Sequence, residues 1–241
     1  MDLSFMYETF LRLLEGLPLT LNLAFTAVGL GAVFAMLLAL MRMSGIGVLD
    51  WSARAYVFVF RGTPLLVQIF LIYYGLGQFR PTLQEWGLWG FFREPYWCAV
   101  LALTLNTAAY ASEIIRGGLQ GVPANQVEAA RACGMSRLLL FRRIVFPIAV
   151  RQALPAYGNE IILMIKATSL ASIITMMELT GIAHKLISQT FRAVEIFIVA
   201  GAIYLALNFI VTRAIWAIEW WLSPHLRRAP APAPRLEAAH V

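Results

Sequence analysis

The sequence predicts an all-α, polytopic membrane protein with about five transmembrane helices and one polar helical segment that projects from the bilayer. Three observations carry this expectation. Of the 241 residues, 60% are hydrophobic and 13% charged, and the mean hydropathy is +0.73, well beyond an average soluble domain. Apolar stretches reaching the ~20 residues needed to cross a ~30 Å hydrocarbon core recur along the chain. The formal net charge of +6 comes almost wholly from arginines gathered beside those stretches. That pattern fits membrane topology better than a nucleic-acid surface.

Residues 1–16 carry Asp2, Glu8, Arg12 and Glu15 among Phe5, Tyr7 and Phe10, an amphipathic lead expected at a membrane surface. Leu17–Leu40 is the first span. It exceeds the apolar core of a cleavable leader and follows an acidic flank, so it is expected to be retained. Gly29 and Gly31 within it are expected helix-contact positions. Arg42, Asp50 and Arg54 make a polar connection, with Trp51 at interface depth. The second segment is interrupted by Arg61-Gly62-Thr63-Pro64 before Leu65–Leu76 resumes. Arg61 either snorkels from a kinked helix or serves docking or gating together with Thr63 and Pro64. Gly62 and Pro64 permit a bend, and the segment is either one kinked span or a split or re-entrant one. Residues 80–95 place Arg80, Glu85, Arg93 and Glu94 around Trp86, Trp89 and Phe91, an interfacial loop on the translocated side. The third span is Trp97–Ile115, near whose end Glu113 and Arg116 stand three apart and can pair on one face.

Pro123–Pro147 is the polar anomaly. It holds Glu128 and the cations Arg131, Arg137, Arg142 and Arg143 between spans too apolar to accept them. Pro123 suits the first turn of a helix, Gly134 interrupts that helix, and Pro147 restricts how the chain leaves it. Such a segment cannot rest in hydrocarbon, so it protrudes into water and touches something. The fourth span, Ala153–Met177, contains Pro155, Gly158, Asn159, Glu160, Lys166, Thr168 and Ser169. The fifth, Val194–Trp216, contains Asn208 and is followed by interfacial Trp220 and Trp221. Residues 223–241 are rich in proline and alanine and are expected to be disordered.

Five spans put the two ends of 17–222 on opposite sides. Arg42, Arg54, Arg116, Arg131, Arg137, Arg142, Arg143, Arg151 and Arg213 fall on one side, with Arg227, Arg228 and Arg235 of the tail. The positive-inside bias makes that side cytoplasmic and the N-terminus external. Cys98 and Cys133 form no disulfide framework or metal spacing. His184, His225 and His240 are scattered. There is no nucleophile–base set, metal cluster or nucleotide-binding glycine loop, so no catalytic, cofactor or metal residue is assigned.

Glu128-Ala129-Ala130, Gly134, Phe141, Ile144 and Pro147 stand at the spacing of the EAA signature, and on them the chain resembles the membrane permeases of ATP-binding-cassette importers. Ala109–Gly118, Arg61–Pro64, Ala153-Leu154-Pro155 and Lys166-Ala167-Thr168-Ser169-Leu170 are similar to the polar amino-acid branch. Two positions depart from it: Asn125 replaces a common glycine, and Ala167 replaces a frequent acid, which leaves Lys166 without an adjacent partner. The resemblance implies a non-catalytic subunit of the bacterial inner membrane. Its 123–147 segment would be a cytoplasmic coupling helix, with Glu128, Ala129, Ala130, Gly134, Phe141 and Pro147 meeting a dimer of ATP-binding subunits. ATP and Mg would be used by that partner. Glu128, early in the helix, would favour its N-terminal dipole; a solvated acid is the plainer alternative. Further implied partners are a periplasmic binding protein, membrane lipid, and a second similar permease or a second copy; no nucleic acid is implied.

Asn159, Glu160, Lys166, Thr168 and Ser169 form the candidate substrate path. Glu160 either faces a cationic substrate group or pairs internally with Arg151 or Arg116. Glu178 and Glu195 are candidates to receive the binding protein. Resemblance within the branch points to basic amino acids or to arginine-derived opines such as octopine and nopaline. A stand-alone carrier or channel, and a regulatory membrane subunit, are the competing classes.

Overall fold

The computed structural model describes residues 2–222, and every regular element among them is helical. The 223–241 tail, with His225 and His240, lies outside the described residues. Helix α1 (Leu3–Leu14) is started by Asp2, whose carboxylate accepts from the Ser4 and Phe5 N–H groups. It is followed by α2 (Leu17–Met43) and α3 (Gly47–Gly62). Next come α4 (Leu65–Phe70), a π-helical turn Leu71–Gly75, and the short α5 (Arg80–Glu85) and α6 (Trp89–Phe92). Helix α7 (Pro95–Gln120) leads to α8 (Ala124–Ala132), α9 (Arg137–Leu140) and a second π-helical turn, Phe141–Val145. Helix α10 (Phe146–Ala167) runs into a 3₁₀ segment, Thr168–Ile174, before α11 (Leu179–Thr190) and α12 (Ala193–Leu222) close the fold.

Three of these, α2, α7 and α12, are long and apolar enough to cross a bilayer alone. Two bent pairs bring the number up to five if each is one span. Helix α3 and the α4 segment meet at 104°, and the Arg137–Ile174 stretch meets α11 at 47°. The first angle breaks the helix outright at Thr63 instead of kinking it. Thr63 is extended (φ −114°, ψ 143°) because the proline ring of Pro64 disfavours the helical conformation in the residue before it. The fourth span starts before Ala153 and its α-helix ends at Ala167, giving way to a narrower 3₁₀ turn.

Helices α2 and α7 form the central pair. Leu23, Ala27 and Val28 pack against Ala99, Ala102 and Leu103, with Met164, Ala171 and Ile174 completing the cluster. In a bilayer apolar burial does not itself drive helices together, so close backbone approach and van der Waals contact must. Gly31 provides it: a Cβ there would run into the Thr107 side chain. Gly29, expected to do the same, has nothing within 4 Å and is exposed. Its position on the α2 face opposite the core explains the difference. A second cluster joins Leu13 of α1 to Leu179, Ala183 and Leu186 of α11 and to Ile196, Val199 and Ile203 of α12. The N-terminal lead therefore rests on the protein as well as presenting Leu3, Tyr7 and Phe10 outward.

Candidate functional site

The site begins at the break between α3 and α4. Backbone groups freed by a broken helix at membrane depth need partners, and the buried Gln68 supplies them. Its amide donates to the Phe60 carbonyl at 2.9 Å, the Thr63 carbonyl at 3.2 Å and the Thr63 hydroxyl oxygen at 2.8 Å. Its own oxygen accepts from Asn106 of α7 at 2.9 Å. Thr63 thus closes the break, and Pro64 shapes it. Arg61 escapes this web. Its guanidinium lies 5.0 Å from the centre of the Tyr110 ring, with no ion-pair partner among the described residues.

Tyr110 also walls a cavity of about 280 Å³ between α7 and α10, lined by Asn106, Glu160, Leu163, Met164 and Ala167 as well. Glu160 is buried, and its carboxylate accepts from the Thr107 hydroxyl at 2.8 Å. Neither internal ion pair considered for it forms. Arg116 is held by Glu113 at 2.6 Å and by Gln120 at 2.6 Å, and Arg151 is exposed.

The other expected path residues do not join Glu160. Successive helix residues diverge by about 100°, so Asn159 points into a separate groove of about 200 Å³ with Pro155, Gly158, Thr212, Trp216 and Glu219. Thr168 and Ser169 donate to the Ile165 and Lys166 carbonyls, each at 2.7 Å, so the 3₁₀ turn consumes their hydroxyls. Lys166 is exposed in the last turn of α10 and lines neither cavity.

At the far end of α7, Glu113 and Arg116 belong to an ion-pair chain. Arg42 bridges Asp50 at 3.1 Å and Glu113 at 2.5 Å, and Asp50 holds Arg54 at 2.7 Å. This ties the ends of α2, α3 and α7 together. Glu178 corrects an expectation: it is fully buried, so it presents nothing to a binding protein. It caps α11 by accepting from Gly181 N–H at 2.8 Å and also accepts from Tyr204 at 3.1 Å and Thr20 at 3.5 Å. Glu195 is engaged by Arg192 at 2.6 Å and by the Asp2 N–H at 3.2 Å. His184 is exposed beside Phe197.

The 123–147 segment folds around Gly134. With φ +76°, Gly134 ends α8 as its N–H reaches the Arg131 carbonyl at 2.9 Å and the Met135 N–H reaches that of Ala130 at 3.2 Å. This is the paired closure that favours glycine. Ser136 then caps α9. Pro123 sits one residue before α8, as its N-cap, instead of in the first turn. Glu128 accordingly falls in the second turn, and no acid occupies the first; the dipole argument loses force because that field fades within one turn. Glu128 and Ala129 are exposed but Ala130 is buried, so only the first alanine offers a free small surface. Phe141 is exposed against Phe146. Pro147 opens α10 instead of ending a helix. Lacking an N–H, it leaves the Arg143 carbonyl without its usual donor, and the preceding turn widens so that Phe146 bonds to Phe141.

Residues 17–221 match the family described as the binding-protein-dependent transport system inner membrane component. The chain belongs to this family. The octopine transport system permease protein of Rhizobium meliloti is 61% identical over 231 residues, 96% of this chain and 94% of that protein. The nopaline transport system permease protein of Agrobacterium fabrum is 57% identical over 241 residues, the whole of both. A crystal structure of an amino acid ABC transporter with histidines superposes with a TM-score of 0.80 at 37% identity, covering 91% of this chain and 98% of that one. The protein is therefore a multi-pass permease component of an ABC transport system.

Within this permease, the sequence reading missed Gln68, Asn106, Thr107 and Tyr110. A usable signal existed. Polar side chains inside a span are costly and tend to face a partner or a cavity, and Asn106-Thr107 sits mid-way along α7. No comparable signal distinguishes Tyr110 from an interfacial tyrosine.

Proposed function

We propose that this permease moves basic amino acids or arginine-derived opines, received from a periplasmic binding protein and driven by ATP hydrolysis on separate subunits. One observation carries the substrate class: among the described residues Glu160, a buried carboxylate in a cavity wall, has a single hydroxyl donor and no cation paired to it. A carboxylate held that way is costly unless a positive group reaches it. A guanidinium or ammonium ion on the substrate is that group. The relatives named for octopine and nopaline transport support the same chemistry.

The 123–147 segment transmits the stroke. Arg131, Arg137, Arg142 and Arg143 are exposed there, beside Glu128, Ala129 and Phe141, and suit an acidic groove on an ATPase dimer. Arg42, Arg54 and Arg116 at the same end support its assignment to the cytoplasm, with the N-terminus outside. A second similar permease, or a second copy, completes the pore.

Uptake of labelled octopine, nopaline, arginine and lysine by cells carrying the complete transporter tests this. Uptake of at least one cationic substrate is expected, lost without the ATPase. Glu128→Lys is expected to reduce co-purification of the ATPase while the permease stays in the membrane. Proton- or sodium-driven uptake by the purified chain alone would overturn the proposal.

A further inference from the structure

Arg61 is a cation at a break in a membrane segment, where a charged group needs a partner, and no acid among the described residues forms an ion pair with it. It is already positioned. The Tyr110 ring at 5.0 Å holds one face of the guanidinium through the ring's negative π surface, and that contact uses none of its N–H donors. Arg61 and Tyr110 line an open cavity of about 390 Å³ with Val57, Phe58 and Gly62. Tyr110 also lines the Glu160 cavity. Tyr110 therefore lines both the space beside the Arg61 guanidinium and the space beside the Glu160 carboxylate.

We propose that Arg61 forms a carboxylate-binding subsite adjoining Glu160, so that a bipolar ligand spans Tyr110 with its cationic end on Glu160 and its carboxylate on Arg61. The planar guanidinium fork matches a carboxylate in bidentate geometry, which an ammonium does not. Basic amino acids carry both charges, and opines carry an additional carboxylate, so this subsite is where the two classes are told apart from simple polyamines. The inference rests on the substrate class proposed above, and its test separates the two.

The assembled transporter, purified without its binding protein, is titrated with labelled L-arginine. Agmatine, which keeps the guanidinium but lacks the carboxylate, is the competitor. In the parent protein arginine is expected to bind more tightly than agmatine by roughly tenfold or more, the size of one charge-assisted contact. Arg61→Gln should weaken arginine roughly tenfold and leave agmatine unchanged, which collapses the ratio. Arg61→Lys should keep part of it, and Glu160→Gln should weaken both ligands together. The subsite is overturned if Arg61→Gln weakens both ligands equally, as a purely structural or gating role requires. It is also overturned if the ratio stays at the parental value, as it would if Arg61 held a lipid phosphate. Failure of the broader reading looks different: the parent protein binds neither cation, or Glu160→Gln changes nothing.

Discussion

Glu160 and Glu178 are both buried carboxylates on the α10–α11 stretch, and their surroundings differ in kind. Glu178 accepts from Gly181 N–H, Tyr204 and Thr20, joining α11, α12 and α2. Glu160 has the Thr107 hydroxyl and a cavity. Buried polar groups are normally saturated, so the saturated acid reads as architecture and the unsaturated one as a place for a ligand. Burial and residue type alone do not separate them; the count of donors does.

The comparison breaks most visibly at Glu178. Glu178→Ala removes the cap of α11 and strands two hydroxyls, costing about 2–4 kcal/mol from cap loss and unsatisfied groups. Thermal unfolding of the purified complex should show it as a large drop in Tm. Glu160→Gln is expected to shift that Tm little, yet to lower uptake of cationic substrates roughly tenfold or more, because a charge-assisted contact is lost. A large Tm drop with Glu160→Gln, or none with Glu178→Ala, would dissolve the distinction.

The arginines repeat the contrast on a smaller scale. Arg42 has a side chain only 13% exposed between Asp50 and Glu113, and Arg42→Ala removes the link between these acids, which keep Arg54 and Arg116, at a cost of about 1–3 kcal/mol. Arg131→Ala, on the exposed face of α8, should stay within about 0.5 kcal/mol in stability and act only on ATPase co-purification. The smallest effect is at Asp2, fully in solvent. Hydrogen bonds from Ser4 and Phe5 hold its pKa down at about 2, against an ordinary 3.8. Its folded pKa is depressed, so the contribution is complete above 3.8 and is lost as pH falls through about 2. Amide exchange at Ser4 and Phe5 should therefore stay protected to below pH 3.8 and accelerate as pH approaches 2.

The elements were readable where a local rule acts. Pro64 forces extension on Thr63, Gly134 tolerates the turn that ends α8, and Glu113 and Arg116 share a helical face. Each depends on residues within a few positions of one another. Facing was less readable. Helices α2 and α12 are apolar nearly all round, so periodicity does not say which side meets the rest of the chain, and Gly29 lies on the exposed side of α2. Asn159 and Glu160 are adjacent in sequence and suggest one path, yet the helix turns them to different grooves.

The sequence by itself determined the membrane class, the break at Thr63-Pro64 and the polar segment between α7 and α10, because length, hydropathy and backbone stereochemistry are properties of short stretches. Only the tertiary structure decided which charges are spent. Glu178 is consumed by three helices, Arg42 by two acids, and Thr168 and Ser169 by their own turn, while Arg61 and Glu160 have no ion-pair partner among the described residues and line spaces that share Tyr110. Saturation depends on donors brought from distant helices, and no pattern along a single helix records where those donors arrive.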